Sequence, residues 1–208
     1  MMTTSLRLAI LGSTKGTNLL ALIAAIATGK LSASIELVIS DQARALILKK
    51  AEVHGLKNVF LDPQGKTRAA FDEQLTKVLE KEKIDLVILI GFMRILSNAF
   101  VHRWKNKIIN VHPSLLPHFA GGMDKNVHQA VLAAKVKETG CTIHLVTEQV
   151  DQGPILIQKK CTVLEDDSVE TLKERVQTLE GLALIEAISL LARETITNPP
   201  IYLSTGEV

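Results

Sequence analysis

Apolar positions along the chain follow two patterns that alternate from the N-terminal end onward. Short apolar runs, typical of buried strands, are followed by longer segments in which apolar residues recur at helical spacing. The runs predict strands at 6–11, 35–40, 59–61, 86–90 and 107–109. The longer segments predict helices at 19–28, 43–54 and 67–83. Alternation of strand and helix predicts a mostly parallel sheet with helices on its faces.

The C-terminal part of the chain departs from this alternation. Strands are predicted at 142–146 and 155–160, and the eight residues between them leave no room for a crossover helix. This pair is therefore expected to be antiparallel. Helices are predicted from 125 to 134 and from a capping box formed by Asp167 and Glu170 onward, with an irregular tail at 198–200. The expected fold class is α/β, a Rossmann-like open sheet with an antiparallel C-terminal extension.

Composition limits the kind of protein that this chain can be. Its 208 residues are 47% hydrophobic and 22% charged, enough for a full core in a single domain over 1–208. A net charge of +2 and 3% aromatic residues argue against a nucleic-acid partner. Cys141 and Cys161 are too few for a disulfide framework, and no apolar run is long enough for a bilayer. A cytoplasmic protein without a membrane or nucleic-acid partner is expected.

The strongest chemical signal follows the strand at 107–109. Asn110 and His112 are two positions apart, so in extended backbone both side chains point to the same face. Pro113 and Pro117 then end the strand in a stiffened loop. An amide donor and an imidazole that converge on one space suit an oxyanion formed during acyl transfer. The alternative is a simple strand-to-loop turn with a surface histidine and a capping asparagine.

Two further loops follow predicted strands and could bind ligands. Residues 12–18 join a strand to a helix through small residues, the arrangement that presents backbone amides to a phosphate. Residues 91–96 follow the strand at 86–90, at the sheet edge where open α/β sheets bind ligands. Arg68, in the first turn of a helix, hints at an anionic partner. For each of these features a purely structural role remains open.

These stretches together resemble a known family. Residues 110–117 read N-V-H-P-S-L-L-P and resemble the signature of the folate-dependent formyltransferases. Residues 151–155 read D-Q-G-P-I and resemble the element that supplies the catalytic aspartate of that family. With the loops at 16–18 and 91–96, the resemblance covers nearly the whole chain and is to the branch that formylates glycinamide ribonucleotide.

The resemblance implies an activity and its substrates. It implies transfer of the formyl group from the co-substrate 10-formyltetrahydrofolate to the amine of glycinamide ribonucleotide, in purine biosynthesis. The transfer would be direct, without a metal ion or a covalent enzyme intermediate, by a monomer or homodimer. The phosphate-binding half would span about 1–100, and the catalytic and folate-binding half about 101–208. The alternatives are another enzyme that uses 10-formyltetrahydrofolate, such as a hydrolase, and a non-catalytic phosphometabolite-binding protein.

The resemblance also assigns roles to individual residues. Those expected to act in catalysis are Asn110, His112 and Asp151. Those expected to bind the ribonucleotide phosphate are Gly16, Thr17 and Asn18. Those expected to bind folate are Arg68, Met93, Arg94, Ile95, Leu96 and Asn110. Asp151 is expected to orient His112 and to raise its pKa, which would keep the imidazole protonated closer to neutral pH.

Several positions stay open at this level. Thr14 and Lys15 depart from the residues that many relatives carry in the first loop, and Lys15 could add charge near the phosphate. His144 could lie near the folate or be a buried, hydrogen-bonded core residue. Glu180 matches a family position near the substrate amine or lies on a solvated helix face. The segment 119–128 is longer than its usual form, so none of its residues is assigned.

Overall fold

The protein is built on one sheet of seven strands. The computed structural model describes residues 5–122 and 125–197. The strands are β1 (Leu6–Leu11), β2 (Ala33–Ser40), β3 (Asn58–Phe60), β4 (Leu86–Leu89), β5 (Ile108–His112), β6 (Glu138–Leu145) and β7 (Ile155–Thr162). The helices are α1 (Thr17–Ala27), α2 (Leu46–Val53), α3 (Arg68–Lys81), α4 (Asn98–Arg103), α5 (Lys125–Ala133) and α6 (Val169–Thr197).

The order of the strands confirms the predicted fold class. The sheet runs β3-β2-β1-β4-β5-β6-β7. The five strands from β3 to β5 are parallel, whereas β6 pairs antiparallel with β5 and β7 antiparallel with β6. The chain first builds outward from β1 to β3 and then returns to place β4 on the other side of β1. This reversal is the topological switch point at which such sheets bind ligands.

Alternating residues of the central strands fill two apolar layers. Leu8 and Ile10 of β1 face the layer formed with α1, α2, α5 and α6. Ala9 and Leu11 face the opposite layer, where Phe71 of α3 packs with α4. All four of these β1 side chains are fully buried. A strand covered on both faces explains the continuous apolar run in its sequence.

Most predicted elements are present, with two differences. The six-residue α4 was not predicted, because it is too short to show a helical period; the Ser97 side chain caps it by accepting from the Phe100 N–H. The capping box predicted for α6 is wrong in its residues. Ser168 is the cap, and its side-chain oxygen accepts from the Thr171 N–H at 3.1 Å. Asp167 instead binds Arg175 through both carboxylate oxygens.

The irregular tail predicted at 198–200 lies outside the described residues. Within the described part of the chain, no helix combines the length and apolar character needed to cross a bilayer.

Candidate active site

The loops at the switch point enclose a cleft of about 320 Å³. We refer to residues 12–16 as the β1 loop, residues 91–96 as the β4 loop and residues 147–154 as the β6–β7 loop. The cleft brings together all but one of the residues predicted for the site. Those that line it are Gly16, Thr17, Asn18, Met93, Arg94, Ile95, Leu96, Asn110, His112 and Asp151. The exception is Arg68, which is exposed at the start of α3.

Strand β5 places Asn110 and His112 side by side on the cleft. Both belong to the strand, so their spacing of two directs them to one face, as the sequence predicts. His144 of β6 lies directly opposite Asn110 in the antiparallel pair. The Asn110 side-chain nitrogen is 3.1 Å from His144 Nε2, and His144 Nδ1 is 2.9 Å from the Leu145 carbonyl oxygen. The pairing of the two strands thus fixes the position of the Asn110 amide.

Asp151 connects these side chains from the β6–β7 loop. Its Oδ2 atom is 3.4 Å from His112 Nδ1, and its Oδ1 atom is 3.6 Å from His144 Nε2. Oδ2 also accepts a hydrogen bond from the Gly121 N–H at 2.8 Å. Burial alone raises the pKa of Asp151, but the nearby imidazole of His144, the hydrogen bond from the Gly121 N–H and the imidazole of His112 together hold that pKa below its ordinary value. Asp151 is therefore ionised at neutral pH.

The pKa of His112 differs from the expectation. Its side chain is only 3% exposed, and this burial lowers the pKa below the ordinary value of 6.5. Asp151 raises the pKa, as predicted, and so does the Phe119 carbonyl 3.2 Å from Nε2, but these contributions are smaller than that of burial. The prediction that His112 stays protonated closer to neutral pH is therefore wrong. At pH 7 the imidazole is mostly neutral, with a proton on one of its two ring nitrogens. Nδ1 faces an oxygen of Asp151 and Nε2 faces the Phe119 carbonyl, so the protonated form can donate a hydrogen bond from both nitrogens.

The β6–β7 loop holds Asp151 in a tight conformation. Asp151 has a positive φ of 57°, in the left-handed region. The loop closes where the Leu145 N–H donates to the Pro154 carbonyl at 2.9 Å. Gly153 lies against this closure, and a Cβ at that position would be 1.7 Å from the Leu145 carbonyl oxygen. A glycine is thus required two residues after the aspartate.

Replacing Gly153 with alanine is expected to lower the free energy of unfolding by about 3 kcal/mol, because the backbone has to move to admit the methyl group. It should also displace Asp151 and lower activity in the protein that stays folded. Gly55→Ala is the control: its φ of 68° is strained for alanine, but a Cβ there meets nothing within 4 Å. Denaturant unfolding curves compare the two variants. Equal losses in both would contradict the proposed clash.

The β1 loop leads directly into α1. Gly16 is the N-cap residue, with a φ of 58°, and no side chain caps the helix there. A Cβ on Gly16 would lie 2.3 Å from an Ile47 side-chain atom, so only glycine fits. The uncapped first turn of α1 borders the cleft through Thr17 and Asn18. Amides at the start of an eleven-residue helix suit an anion such as a phosphate.

Asn18 also has a structural partner. Its side-chain nitrogen donates to Glu180 Oε2 at 2.7 Å, and both residues are buried. Glu180 lies on α6 and lines the same cleft. The bond joins the first and last helices beside the β1 loop, and it places a carboxylate in the cleft that the helical pattern alone could not distinguish from a surface residue.

The β4 loop forms the apolar side of the cleft. Leu96 is buried and Ile95 is about half exposed. The Arg94 guanidinium stacks over the Phe71 ring, 4.3 Å from its centroid. Met93 is held by its backbone, whose N–H donates to Ser13 Oγ at 2.8 Å. An apolar wall that is fixed through its main chain suits a flat heterocycle that needs backbone hydrogen bonds.

Some contributions to the site were not found from the sequence. The Phe119 carbonyl and the Gly121 N–H contact His112 and Asp151, and backbone groups of this kind leave no signature in residue types. His144 is buried and hydrogen-bonded, as one of its two alternatives predicts, and it also lines the cleft. Its position opposite Asn110 depends on the register of two strands, which the sequence did not supply. In residues 5–122 and 125–197, no group of three or more histidine, cysteine or acidic side chains could hold a metal ion.

Comparison with known protein families identifies the family of this chain. A family model described as formyl transferase matches residues 6–188. The chain belongs to the formyl transferase family. The resemblance inferred from the motifs at 110–117 and 151–155 is thereby confirmed.

Individual relatives show how the similarity is distributed along this chain and theirs. The chain is 35% identical over 176 residues to the phosphoribosylglycinamide formyltransferase of Escherichia coli (strain K12), covering 84% of this chain and 82% of that one. It is 44% identical over 191 residues to the trifunctional purine biosynthetic protein adenosine-3 of Gallus gallus, covering 91% of this chain but only 19% of that protein. The chain therefore spans about a fifth of the length of that larger relative.

A solved structure supports the same membership. Glycinamide ribonucleotide transformylase 1 from Symbiobacterium toebii superimposes with a TM-score of 0.87 and 38% identity, over 93% of this chain and 90% of the other. The similarity therefore extends over nearly the whole length of both chains.

Proposed function

We propose that this chain transfers the formyl group of 10-formyltetrahydrofolate to the amine of glycinamide ribonucleotide, in purine biosynthesis. The observation that carries the proposal is the convergence of Asn110, His112 and Asp151 on one wall of the cleft. A helix N-terminus suited to phosphate lies at one part of the cleft, and the apolar β4 loop lies at another. Membership of the formyl transferase family supports the same conclusion.

The proposed reaction begins with the neutral amine of the ribonucleotide. Its lone pair attacks the formyl carbon, the carbonyl electrons move to the oxygen, and the amine nitrogen becomes positively charged. The Asn110 side chain donates a hydrogen bond to the oxyanion; its position is fixed by the contact with His144. A donor that is already oriented costs no reorganisation during the reaction.

His112 then manages the proton in the proposed mechanism. Being mostly neutral at pH 7, it can accept the proton released from the attacking nitrogen. Asp151 stabilises the imidazolium, which donates the proton to N10 of the folate as the bond between N10 and the formyl carbon breaks. His112 Nε2 contacts the Phe119 carbonyl in the structure, so the reacting group takes the place of that carbonyl. The oxyanion electrons re-form the carbonyl of the new formamide as the bond to N10 breaks, so protons and electrons balance without another reactant.

The two substrates are proposed to bind at different loops of the cleft. The ribonucleotide phosphate would bind Gly16, Thr17 and Asn18 at the start of α1. The folate would bind the β4 loop and Asn110. Arg68 remains a predicted folate contact, and its exposed position beyond the cleft suits only the distal, anionic part of that co-substrate. The proposed folate contacts thus come from both halves of the chain, rather than from the C-terminal half alone.

The proposal also covers the domain organisation, the cellular location and the oligomeric state of the enzyme. We propose that residues 1–208 act as one formyltransferase domain, in the cytoplasm, as a monomer or homodimer. The proposed partners are the two small-molecule substrates, without nucleic acid or membrane. The proposed transfer uses no metal ion, because the amide and the imidazole fill the roles that a Lewis acid would otherwise serve.

A folate absorbance assay tests the proposed function. The protein is mixed with 10-formyltetrahydrofolate and either glycinamide ribonucleotide, its dephosphorylated riboside, or no acceptor. The expected result is turnover with the ribonucleotide, much weaker turnover with the riboside, and none without an acceptor. Folate product formed at equal rates in all three mixtures would identify a hydrolase. Binding of both compounds without turnover would identify a non-catalytic binding protein.

Lys15 provides a prediction at the phosphate end of the cleft. Lys15 lines the cleft next to Gly16 and the start of α1, so its side chain brings a positive charge to this end of the cleft. Lys15→Ala is expected to raise the Kd of the ribonucleotide about fivefold, with the difference shrinking as salt screens the charge. Titration calorimetry at two salt concentrations measures it, and the exposed Lys105→Ala serves as the control. An unchanged affinity would contradict a role for Lys15.

A further inference from the structure

Two of the loops that form the cleft are joined to each other by a buried polar pair outside the catalytic side chains. The Ser13 N–H donates to the Gly91 carbonyl at 3.0 Å, and the Met93 N–H donates to Ser13 Oγ at 2.8 Å. Ser13 therefore binds the β4 loop at both its first and third residues. The contact is close, since a Cβ on Gly91 would lie 2.6 Å from Thr14 Oγ1.

Asp41 fixes the direction of this connection. Ser13 Oγ donates to Asp41 Oδ1 at 2.6 Å, a length typical of a hydroxyl bound to a charged oxygen. Because the hydroxyl proton points to Asp41, the oxygen presents its lone pairs to the Met93 N–H. Asp41 is 4% exposed and Ser13 is 9% exposed, so water competes little for either group. The three groups form a chain of hydrogen bonds in which each bond polarises the next.

Asp41 has no part in the reaction proposed above. It follows directly after β2, behind the β1 loop, and it is not among the residues that line the cleft. Its other carboxylate oxygen accepts from the Gln42 side chain at 3.2 Å. A buried carboxylate is costly unless hydrogen bonds compensate it, so an apolar side chain would be the simpler choice if this position served packing alone.

We propose that Ser13 and Asp41 are a positioning pair for folate binding. Asp41 orients the Ser13 hydroxyl, and the hydroxyl holds the Met93 backbone so that the β4 loop presents a fixed main chain to the folate. The same serine belongs to the β1 loop, so the pair also sets the spacing between the folate and phosphate ends of the cleft. The inference rests on the proposed function, because it takes folate as the ligand of the β4 loop.

The pair predicts a specific pattern of binding constants. Ser13→Ala and Asp41→Ala should each raise the Kd of tetrahydrofolate about tenfold, the effect of leaving one buried hydrogen-bonding group without its partner. The double variant should bind no worse than either single variant, because both changes break the same chain of bonds. Asp41→Asn keeps an oxygen that can accept from Ser13, so it should restore the Kd to within about threefold of the parent value.

A matched control separates positioning from general loss of structure. Ser40 is also buried at the end of β2, and its hydroxyl oxygen accepts from the Gln42 N–H at 3.1 Å without touching the β4 loop. Ser40→Ala should leave the Kd of tetrahydrofolate unchanged. In steady-state assays, Ser13→Ala should raise the KM for the folate and leave kcat at saturation within about threefold, since no group that touches the reacting atoms is lost.

The experiment is titration calorimetry of the parent and the five variants with tetrahydrofolate, and separately with glycinamide ribonucleotide. Effects that multiply in the double variant, or an equal loss of affinity in Ser40→Ala, would overturn the positioning pair. An unchanged Kd in Ser13→Ala would also overturn the positioning pair. If the parent protein still turns over its substrates in that case, the proposed function stands. A parent that binds neither compound would overturn the proposed function and the inference together.

Discussion

Replacing His112 with alanine is expected to lower kcat by about 10²- to 10⁴-fold, the range typical of a general acid–base group. The loss should appear in kcat rather than in the KM of either substrate, because the proton transfer takes place only on the way to the transition state. The imidazole is almost fully buried, so the cavity should also lower the free energy of unfolding. Measuring kcat under conditions where the variant remains folded separates the two effects.

The pH dependence provides a second test of His112. Its pKa lies below 6.5, and the proposed mechanism needs the neutral ring. Accordingly, kcat/KM for the parent should fall once as the substrate amine becomes protonated, and a second time at lower pH through this lowered pKa of His112. The second fall should be missing in His112→Ala, whose residual activity has no such base. His102→Ala, at an exposed position on α4, should retain both the parent rate and the parent profile.

Activity that increases as the pH falls would contradict the proposed role of His112 as a base. If His112 acted as a cation from the start, activity would increase as the pH fell toward its pKa. A profile of that form that is lost in His112→Ala would mean that the ring works in its protonated form. A variant with a kcat close to the parent value would remove His112 from the mechanism altogether.

Replacing Asp151 with asparagine is expected to lower kcat by about 10²- to 10³-fold. Asparagine keeps the shape of the side chain and an oxygen for the Gly121 N–H, so the β6–β7 loop should keep its conformation. What is lost is the negative charge 3.4 Å from His112 Nδ1, which stabilises the imidazolium formed during the reaction. The exposed Asp166→Asn provides the control.

The dependence of kcat/KM on pH should also shift in a defined direction in Asp151→Asn. Asp151 raises the pKa of His112, so without the carboxylate that pKa should fall further. The fall of kcat/KM that belongs to His112 should therefore shift to lower pH in Asp151→Asn, while the plateau decreases. A shift to higher pH, or a plateau equal to that of the parent, would show that the carboxylate does not act on the imidazole as described.

The sequence predicts most of this architecture because the signals are local. The alternation of apolar runs and helical segments indicates a parallel sheet, and the short connection at 147–154 indicates the antiparallel end. Period two alone places Asn110 and His112 on one face. Asp151 is different, because only its family motif links it to a strand about forty residues earlier; its positive φ and its contacts belong to the folded loop.

What the sequence could not supply depends on three-dimensional packing. The direction of the His112 pKa shift results from opposing effects, and burial, which is the largest, exists only in the folded protein. His144 reaches Asn110 through the register of β5 and β6. Ser13 and Asp41 are 28 positions apart and form their bond only because β1 and β2 are neighbours. In each case residue types alone leave the geometry undetermined.

The most direct test of the central claim follows the formyl carbon itself. The co-substrate 10-formyltetrahydrofolate, labelled with ¹³C in its formyl group, is incubated with the protein and glycinamide ribonucleotide, and the label is followed by NMR. The account predicts that the signal moves to a new formamide on the ribonucleotide, at a rate that falls steeply in His112→Ala and Asp151→Asn. Label that appears as formate, at a rate independent of the ribonucleotide, would contradict it.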